Sequence, residues 1–155
     1  MTVRDFEAED LADLEWSGGA EHVNAVAEAL MASYQGEAVV LAVALPNGRL
    51  IANGVAYLHG YPDAAKLLML SVHETFQNLG VGTRLIAALE ERVRDHGLTT
   101  ARLGVEHDNP RAAALYRRLG YREVGSTLDS WPVAGGRTYV TVTTLLERRL
   151  ETRAQ

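Results

Sequence analysis

The chain has 155 residues and no cysteine, which suits one domain and excludes a disulfide framework, a thiol nucleophile and a thiolate metal site. Hydrophobic residues make up 47% and charged residues 23%, the balance of a soluble globular protein, and the longest clean apolar run, Ala38 to Leu45, is too short to span a bilayer. The net charge of −5 is uneven: residues 1–37 carry nine acids against one base, the rest carries eleven acids and fourteen bases, and no dense basic stripe suggests nucleic acid as a partner.

Met1 to Glu7 lacks the basic and apolar regions of a signal peptide, so a cytoplasmic location is expected, with no membrane partner. Val3 to Phe6 reads as a short strand, and Glu9 to Trp16 and Ala20 to Ser33 as helices separated by Ser17-Gly18-Gly19. In the second helix Val23, Val26, Ala27 and Leu30 share a face, and Gly36 ends it. Ala38 to Leu45 reads as a buried strand. Pro46-Asn47-Gly48 turns it into an antiparallel partner, Leu50 to His59, and Gly60-Tyr61-Pro62-Asp63 turns again into the strand Lys66 to Val72.

A helix from Thr83 to His96 follows, with Leu85, Ile86, Leu89 and Val93 as its apolar stripe, Glu90 and Arg94 paired outside and Gly97 as its C-cap. Thr100 to Glu106 alternates as a strand with Ala101, Leu103 and Val105 on one side. Asn109-Pro110 starts the last helix, whose face is Ala112, Leu115, Tyr116 and Leu119, and Gly120 closes it. Two late strands, about Arg122 to Asp129 and Thr138 to Leu146, are joined through Pro132 and Gly135-Gly136, and the tail after about residue 148 frays. The order β-α-α-β-β-β-α-β-α-β-β predicts a single domain over 1–155 of mixed α/β (α+β) class: a mixed sheet of about seven strands flanked by helices on both faces.

The chemistry points to the stretch between the third internal strand and the helix after it. Gly80 and Gly82 let backbone N–H groups approach a bulky anion, and the helix that starts there adds its positive end, which together make a phosphate cradle. Commoner nucleotide readings fail here. The third glycine of a dinucleotide fingerprint is replaced by Leu85, and no Gly-Lys-Ser/Thr follows. His73-Glu74 lacks the second histidine of a zinc protease helix, so no metal is expected, and no Gly-x-Ser-x-Gly nucleophile elbow occurs.

Gln77-Asn78-Leu79-Gly80-Val81-Gly82 instead resembles the Arg/Gln-x-x-Gly-x-Gly/Ala signature of the GNAT superfamily of N-acetyltransferases. The resemblance extends through Leu70-Ser71-Val72 and into Asn109-Pro110-Arg111-Ala112-Ala113-Ala114-Leu115-Tyr116-Arg117-Arg118-Leu119-Gly120-Tyr121, similar to that family's Asn-x-x-Ala-x-x-Leu-Tyr-x-x-x-Gly-Phe/Tyr block. The clear match covers about residues 66 to 125, and Glu74 departs from it where many members have proline.

The resemblance implies a GNAT-like fold with a mostly antiparallel sheet and four helices, acetyl-CoA as co-substrate, and a primary amine as acceptor. By it, the pyrophosphate lies on Gln77, Asn78, Leu79, Gly80, Val81 and Gly82, with Thr83 and Arg84 as further contacts. The strand carrying Leu70 and Val72 would splay from the strand carrying Leu103 and Val105 and pair with the pantetheine arm, the Val72 N–H would hold the oxyanion, and Asn109 and Ala112 would border the cofactor. Tyr116 would protonate the leaving thiolate; a core aromatic is its plainer role.

The general base stays open among His73, Glu74, His59 and a water chain, since strand alternation lets at most one of His73 and Glu74 face the cleft unless a bulge intervenes. Tyr57 and His59, two residues apart on the same face of their strand, and Trp16 or Trp131 are the candidate acceptor contacts. The acidic rim of Glu15 and Glu21, beside Trp16 and His22, suits a small cationic amine. Two other readings compete: an acyl-CoA-binding sensor without turnover, and a structural protein that forms a homodimer through its late strands.

Overall fold

The computed structural model describes residues 1–151. Its elements are β1 (Thr2–Asp5), α1 (Ala20–Tyr34), β2 (Ala38–Ala44), β3 (Leu50–Tyr57), β4 (Ala64–Val72), α2 (Val81–Asp95), β5 (Thr100–Glu106), α3 (Pro110–Arg118), β6 (Arg122–Val133) and β7 (Arg137–Arg149). The class is mixed α+β with mostly antiparallel strands, as expected. The chain divides into two compact units, residues 1–101 with the chain end from Leu150, and Arg102–Arg149.

In the first unit β1 to β4 form an antiparallel meander, with Val3 opposite Val43, Leu41 opposite Gly54 and Ala56 opposite Leu67. Every residue of β2 is buried, because helices cover both faces of this meander. On one face Val26, Ala29 and Leu30 of α1 share a cluster with Phe6, Leu14, Val40, Ala42 and Val55. On the other, Gly54 sits under α2. A Cβ at Gly54 would lie 2.7 Å from Leu70 Cδ2, 3.0 Å from Leu89 Cδ1 and 3.3 Å from Leu85 Cδ2. Gly54→Ala is therefore expected to overpack this seam and lower stability by about 1–3 kcal/mol, read as a drop in melting temperature.

β3 and β4 do not run in simple register: the pairing shifts between Asn53 and Val55, and Met69 opposite this irregularity has a φ of 54°. Asn53 is fully buried and its Nδ2 donates to the Met69 carbonyl at 3.2 Å, fixing the irregular strand from within.

In the second unit β7 lies between β5 and β6. Leu103 and Val105 are buried, and Arg102 pairs with Glu147 at 2.5 Å. The Thr143 methyl fills the space that Gly104 leaves, where a Cβ would stand 2.6 Å from it.

Several boundaries differ from expectation. The segment read as a helix over Glu9 to Trp16 is two 3₁₀ stretches, Ala8–Asp13 and Glu15–Ser17. Side chains pin it at both ends: Arg4 donates twice to Asp10, at 2.7 and 2.9 Å, and Asp13 accepts from the Leu50 N–H at 2.8 Å. Such anchoring suits short 3₁₀ pieces better than a continuous α-helix. Ala29, not Ala27, completes the buried face of α1.

Helix α2 starts at Val81, two residues earlier than read, and Glu90 is buried while Arg94 reaches Glu91 at 3.4 Å. The late strands are longer than expected, so Pro132 lies inside β6 opposite Thr138. The tail read as frayed after about residue 148 is held as far as Leu150, which is buried and whose N–H donates to the Thr99 carbonyl at 2.7 Å. Residues 152–155 of that tail lie outside the described residues.

Candidate active site

Val72 ends β4 with its backbone turned outward. The His73 N–H donates to the Ile51 carbonyl at 2.7 Å, and Val72 stands opposite Ala52. Antiparallel alternation then directs the N–H and C=O of Val72 away from β3. The carbonyl is taken by Gln77, whose Nε2 donates to it at 3.1 Å. Gln77 thus ties the turn to the strand, and the Val72 N–H points to the side of β4 away from β3.

The chain next makes one 3₁₀ turn, Glu74–Phe76, capped by His73, whose Nδ1 accepts from the Thr75 N–H at 3.2 Å. Asn78 and Gly80 follow with φ of 66° and 80°, a reversal that glycine adopts freely. Gly80 is the N-cap of α2 and contributes no side-chain cap. The Arg84 N–H reaches the Gly80 carbonyl at 3.1 Å, so the N–H groups of Val81, Gly82 and Thr83 precede the first intrahelical bond. Val81 is buried and anchors the turn, whereas Leu79, Thr83 and Arg84 are exposed.

A bulky anion fits these donors. A Cβ on Gly80 would meet nothing within 4 Å, and one on Gly82 only Val72 Cγ2 at 3.6 Å. The first turn of α2 carries no acid to repel it.

The first unit also gathers aromatic groups at the end of β4. The Trp16 ring lies 5.3 Å from His73, which lies 5.9 Å from Phe76. Trp16, Tyr57 and Met69 pack, half-buried, against the core beneath α1. Burial, and secondarily the charge of Glu28, raises the pKa of the Tyr57 phenol. Three acids of the N-terminal segment are engaged in ion pairs, Asp5 with Arg92, Asp10 with Arg4 and Asp13 with Arg49. Glu15, Glu21 and Glu28 are exposed and enter no ion pair among the described residues.

Strand alternation does not govern His73 and Glu74, because β4 stops at Val72 and both residues lie in the turn. With its Nδ1 accepting from Thr75, a neutral His73 ring carries its proton on Nε2, so accepting a second proton would disrupt the cap. Glu74 is exposed at the start of the 3₁₀ turn. His59 does not share a strand face with Tyr57: β3 ends at Tyr57, and His59 is exposed in the following loop.

His22, packed against Gly18, has a buried Nε2 with no hydrogen-bond partner among the described residues, and burial lowers its pKa. The unfolded chain then binds the proton first. Stability should fall as the pH drops below about 6.5 and level off below the lowered folded value. Thermal melts between about pH 7.5 and about pH 5 should show this slope, and His22→Gln should flatten it.

In the second unit Asn109 caps α3, its Oδ1 accepting from the Ala112 N–H at 3.2 Å, with Pro110 in the first turn. Tyr116 is half-buried on that helix, its ring 6.0 Å from Tyr121, whose N–H donates to the Tyr116 carbonyl at 2.9 Å. Burial raises the pKa of the Tyr116 phenol, so it holds its proton at neutral pH. Trp131 packs against Tyr139, ring centroids 5.0 Å apart and planes tilted by 44°, across the β6–β7 hairpin. Among the described residues no three His, Asp or Glu side chains converge as a metal site.

Residues 5–121 match the family described as the acetyltransferase (GNAT) family, a span that includes the β4–α2 turn and α3. The chain belongs to the GNAT acetyltransferase family. It is 32% identical over 92 residues to the L-2,4-diaminobutyric acid acetyltransferase of Nocardia farcinica, a match covering 59% of this chain and 47% of that relative. The chain thus spans under half the length of that enzyme. It is 28% identical over 132 residues to the [ribosomal protein bS18]-alanine N-acetyltransferase of Haemophilus ducreyi, covering 84% and 83% of the two chains. An aminoglycoside 6'-N-acetyltransferase solved with coenzyme A shares the fold, with a TM-score of 0.71, 20% identity and all of both chains covered. Both the expected family and the expected fold are thereby shown.

Proposed function

We propose that the chain transfers the acetyl group of acetyl-CoA to a primary amine of a small cationic acceptor. One observation carries the reading: the Val72 N–H, turned away from β3, lies one turn before the uncapped N–H groups of Val81, Gly82 and Thr83. A single short segment therefore offers a donor for a carbonyl oxygen and a cradle for a pyrophosphate. Acetyl-CoA supplies an acyl thioester and an anion of that kind. Thr83 and Arg84 add an exposed hydroxyl and a guanidinium on the same turn.

In the reaction the neutral amine attacks the thioester carbonyl and a C–N bond forms. The Val72 N–H stabilises the oxygen as it gains charge. Collapse re-forms the C=O bond and breaks the C–S bond, and the resemblance of α3 to the family block assigns the proton for the departing sulfur to Tyr116. The nitrogen loses its extra proton to Glu74 or to water, and solvent returns a proton to Tyr116. His73 serves through its cap, holding the turn, more readily than as a base. Asn109 and Ala112 support α3 through their capping bond.

The cationic preference rests on the acids left free near the aromatic cluster. Glu15, Glu21 and Glu28 raise the local concentration of a positively charged amine, while Trp16 and Tyr57 offer faces for it. The Nocardia relative, named for a diamino acid, supports an acceptor of this type. A panel of diamines, diamino acids, aminoglycosides, neutral amines and anionic amino acids tests the reading through amine-dependent thiol release. Cationic acceptors should show the highest kcat/KM. A preference for neutral or anionic amines would overturn the acceptor class, and acetyl-CoA binding without release in any arm would point to a sensor.

A further inference from the structure

The second unit leaves one strand edge bare. β6 hydrogen-bonds β7 on one side and ends the strand order on the other. It spans 12 residues, and from Val124 to Val133 its one charged side chain is Asp129. Edge strands are ordinarily short, charged or broken, because an open ladder invites another strand; β6 is broken only toward its ends, by the bulge at Val124 and by Pro132, which leaves Gly125 to Trp131 open. Beside it the hairpin surface is apolar and exposed: Leu128 is 73% exposed, and Val142, opposite it, 41%.

We propose that β6 pairs antiparallel with β6 of a second copy of this chain, on a two-fold axis through Ser126. Charge and register select this arrangement. The register of β6 on β7 shifts between Glu123 and Gly125, so Val124 is the extra residue of a bulge. Arg122 stands opposite Glu147 and Asp129 opposite Thr141, which puts Arg122 and Asp129 on the same face despite their odd spacing. With Val124 left out of the count, an antiparallel pairing centred on Ser126 sets Gly125 against Thr127 of the second copy and Glu123 against Leu128. Arg122 then meets Asp129 of the second copy, and the two-fold axis makes this contact twice.

Moving the centre by one residue either way separates Arg122 from Asp129 and sets Arg122 against Trp131 or Thr127. Opposite charges directly across a strand pair stabilise it, and like charges destabilise it. Within the chain neither side chain enters an ion pair among the described residues; Asp129 accepts only from the N–H of its neighbour Ser130, at 3.0 Å. The pairing gives each a partner and closes the open ladder, and an isologous contact of this kind stops at two copies.

The chain contains no cysteine, which makes the register directly testable. Residues opposed across an antiparallel pair have Cβ atoms about 4.5–5.5 Å apart, near enough for a disulfide after small adjustment. Ser126→Cys should therefore form a covalent dimer rapidly under mild oxidation, and Ser130→Cys on the same strand should not. Sedimentation equilibrium of the unmodified chain should give twice the 16.9 kDa chain mass. Arg122→Asp and Asp129→Arg should each weaken the dimer by about tenfold or more, and the double reversal should restore it. A monomer at all concentrations, equal cross-linking at both cysteine positions, or no restoration in the double variant would overturn the proposal. Circular dichroism of each variant separates loss of pairing from loss of folding.

Discussion

Gly82→Glu is expected to abolish measurable acetyl-CoA binding while leaving the fold intact. The position has room for a Cβ, with Val72 Cγ2 as its only near neighbour at 3.6 Å, so the backbone need not move. The substituted side chain brings a carboxylate to N–H groups that otherwise face a phosphate. A hydrogen bond to a charged group contributes about 1.5–3 kcal/mol, so loss of two such bonds weakens binding by at least about a hundredfold. Calorimetric titration with acetyl-CoA measures this directly. Gly82→Ala serves as the control, since a methyl group fits there and adds no charge. Equal affinity for the charged variant and the unmodified chain would remove the turn from the donor site.

Tyr116→Phe carries the second large effect. It keeps the ring that meets Tyr121 and removes only the hydroxyl. If Tyr116 protonates the leaving sulfur, kcat should fall by about 10²–10⁴-fold, the usual contribution of a positioned acid, with acetyl-CoA affinity nearly unchanged. The pH profile adds a readout that a packing role would not move. Because burial holds the phenol above its ordinary pKa, the donor stays protonated, and activity should rise with pH as the amine is neutralised, with no descending limb below about pH 10. In the variant lacking the hydroxyl the thiolate departs unassisted, so poorer leaving thiols should suffer most. Unchanged turnover would return Tyr116 to the packing of α3.

The donor side is legible in sequence because its determinants are local. A run of apolar residues, a residue that must adopt positive φ and an uncapped helix start all lie between Leu67 and Arg84. The cap at Asn109 is equally readable, since asparagine three residues before its donor N–H and proline in the first turn leave little alternative. The turn's own pattern also marks Gln77, although its amide bonds the Val72 carbonyl rather than standing free.

What escapes the sequence depends on groups distant along the chain. Nothing in the spacing of Glu9 to Trp16 announces that Arg4 and Leu50 pin Asp10 and Asp13 and so break the α pattern. Trp16 and His73 meet only through the fold, so the aromatic cluster at the end of β4 has no sequence signature. The irregular register opposite Met69 is set by the buried Asn53 amide, which reads in sequence as one more polar residue on a strand. An i,i+4 pattern points Glu90 outward and its burial contradicts that, since periodicity marks a face but not how far the cover extends over it. The bulge at Val124 likewise changes which residues of β6 share a face, and its pairing with β7 alone reveals it.

At the centre stands the proposal that the end of β4, on its side away from β3, and the start of α2 hold acetyl-CoA. Amide chemical shifts and hydrogen exchange measured during titration with acetyl-CoA test it most directly. Saturation should shift and protect the N–H groups of Val72, Val81, Gly82 and Thr83, while the buried amides of β2 stay unchanged. Saturable binding that leaves residues 72–84 unperturbed would contradict the account.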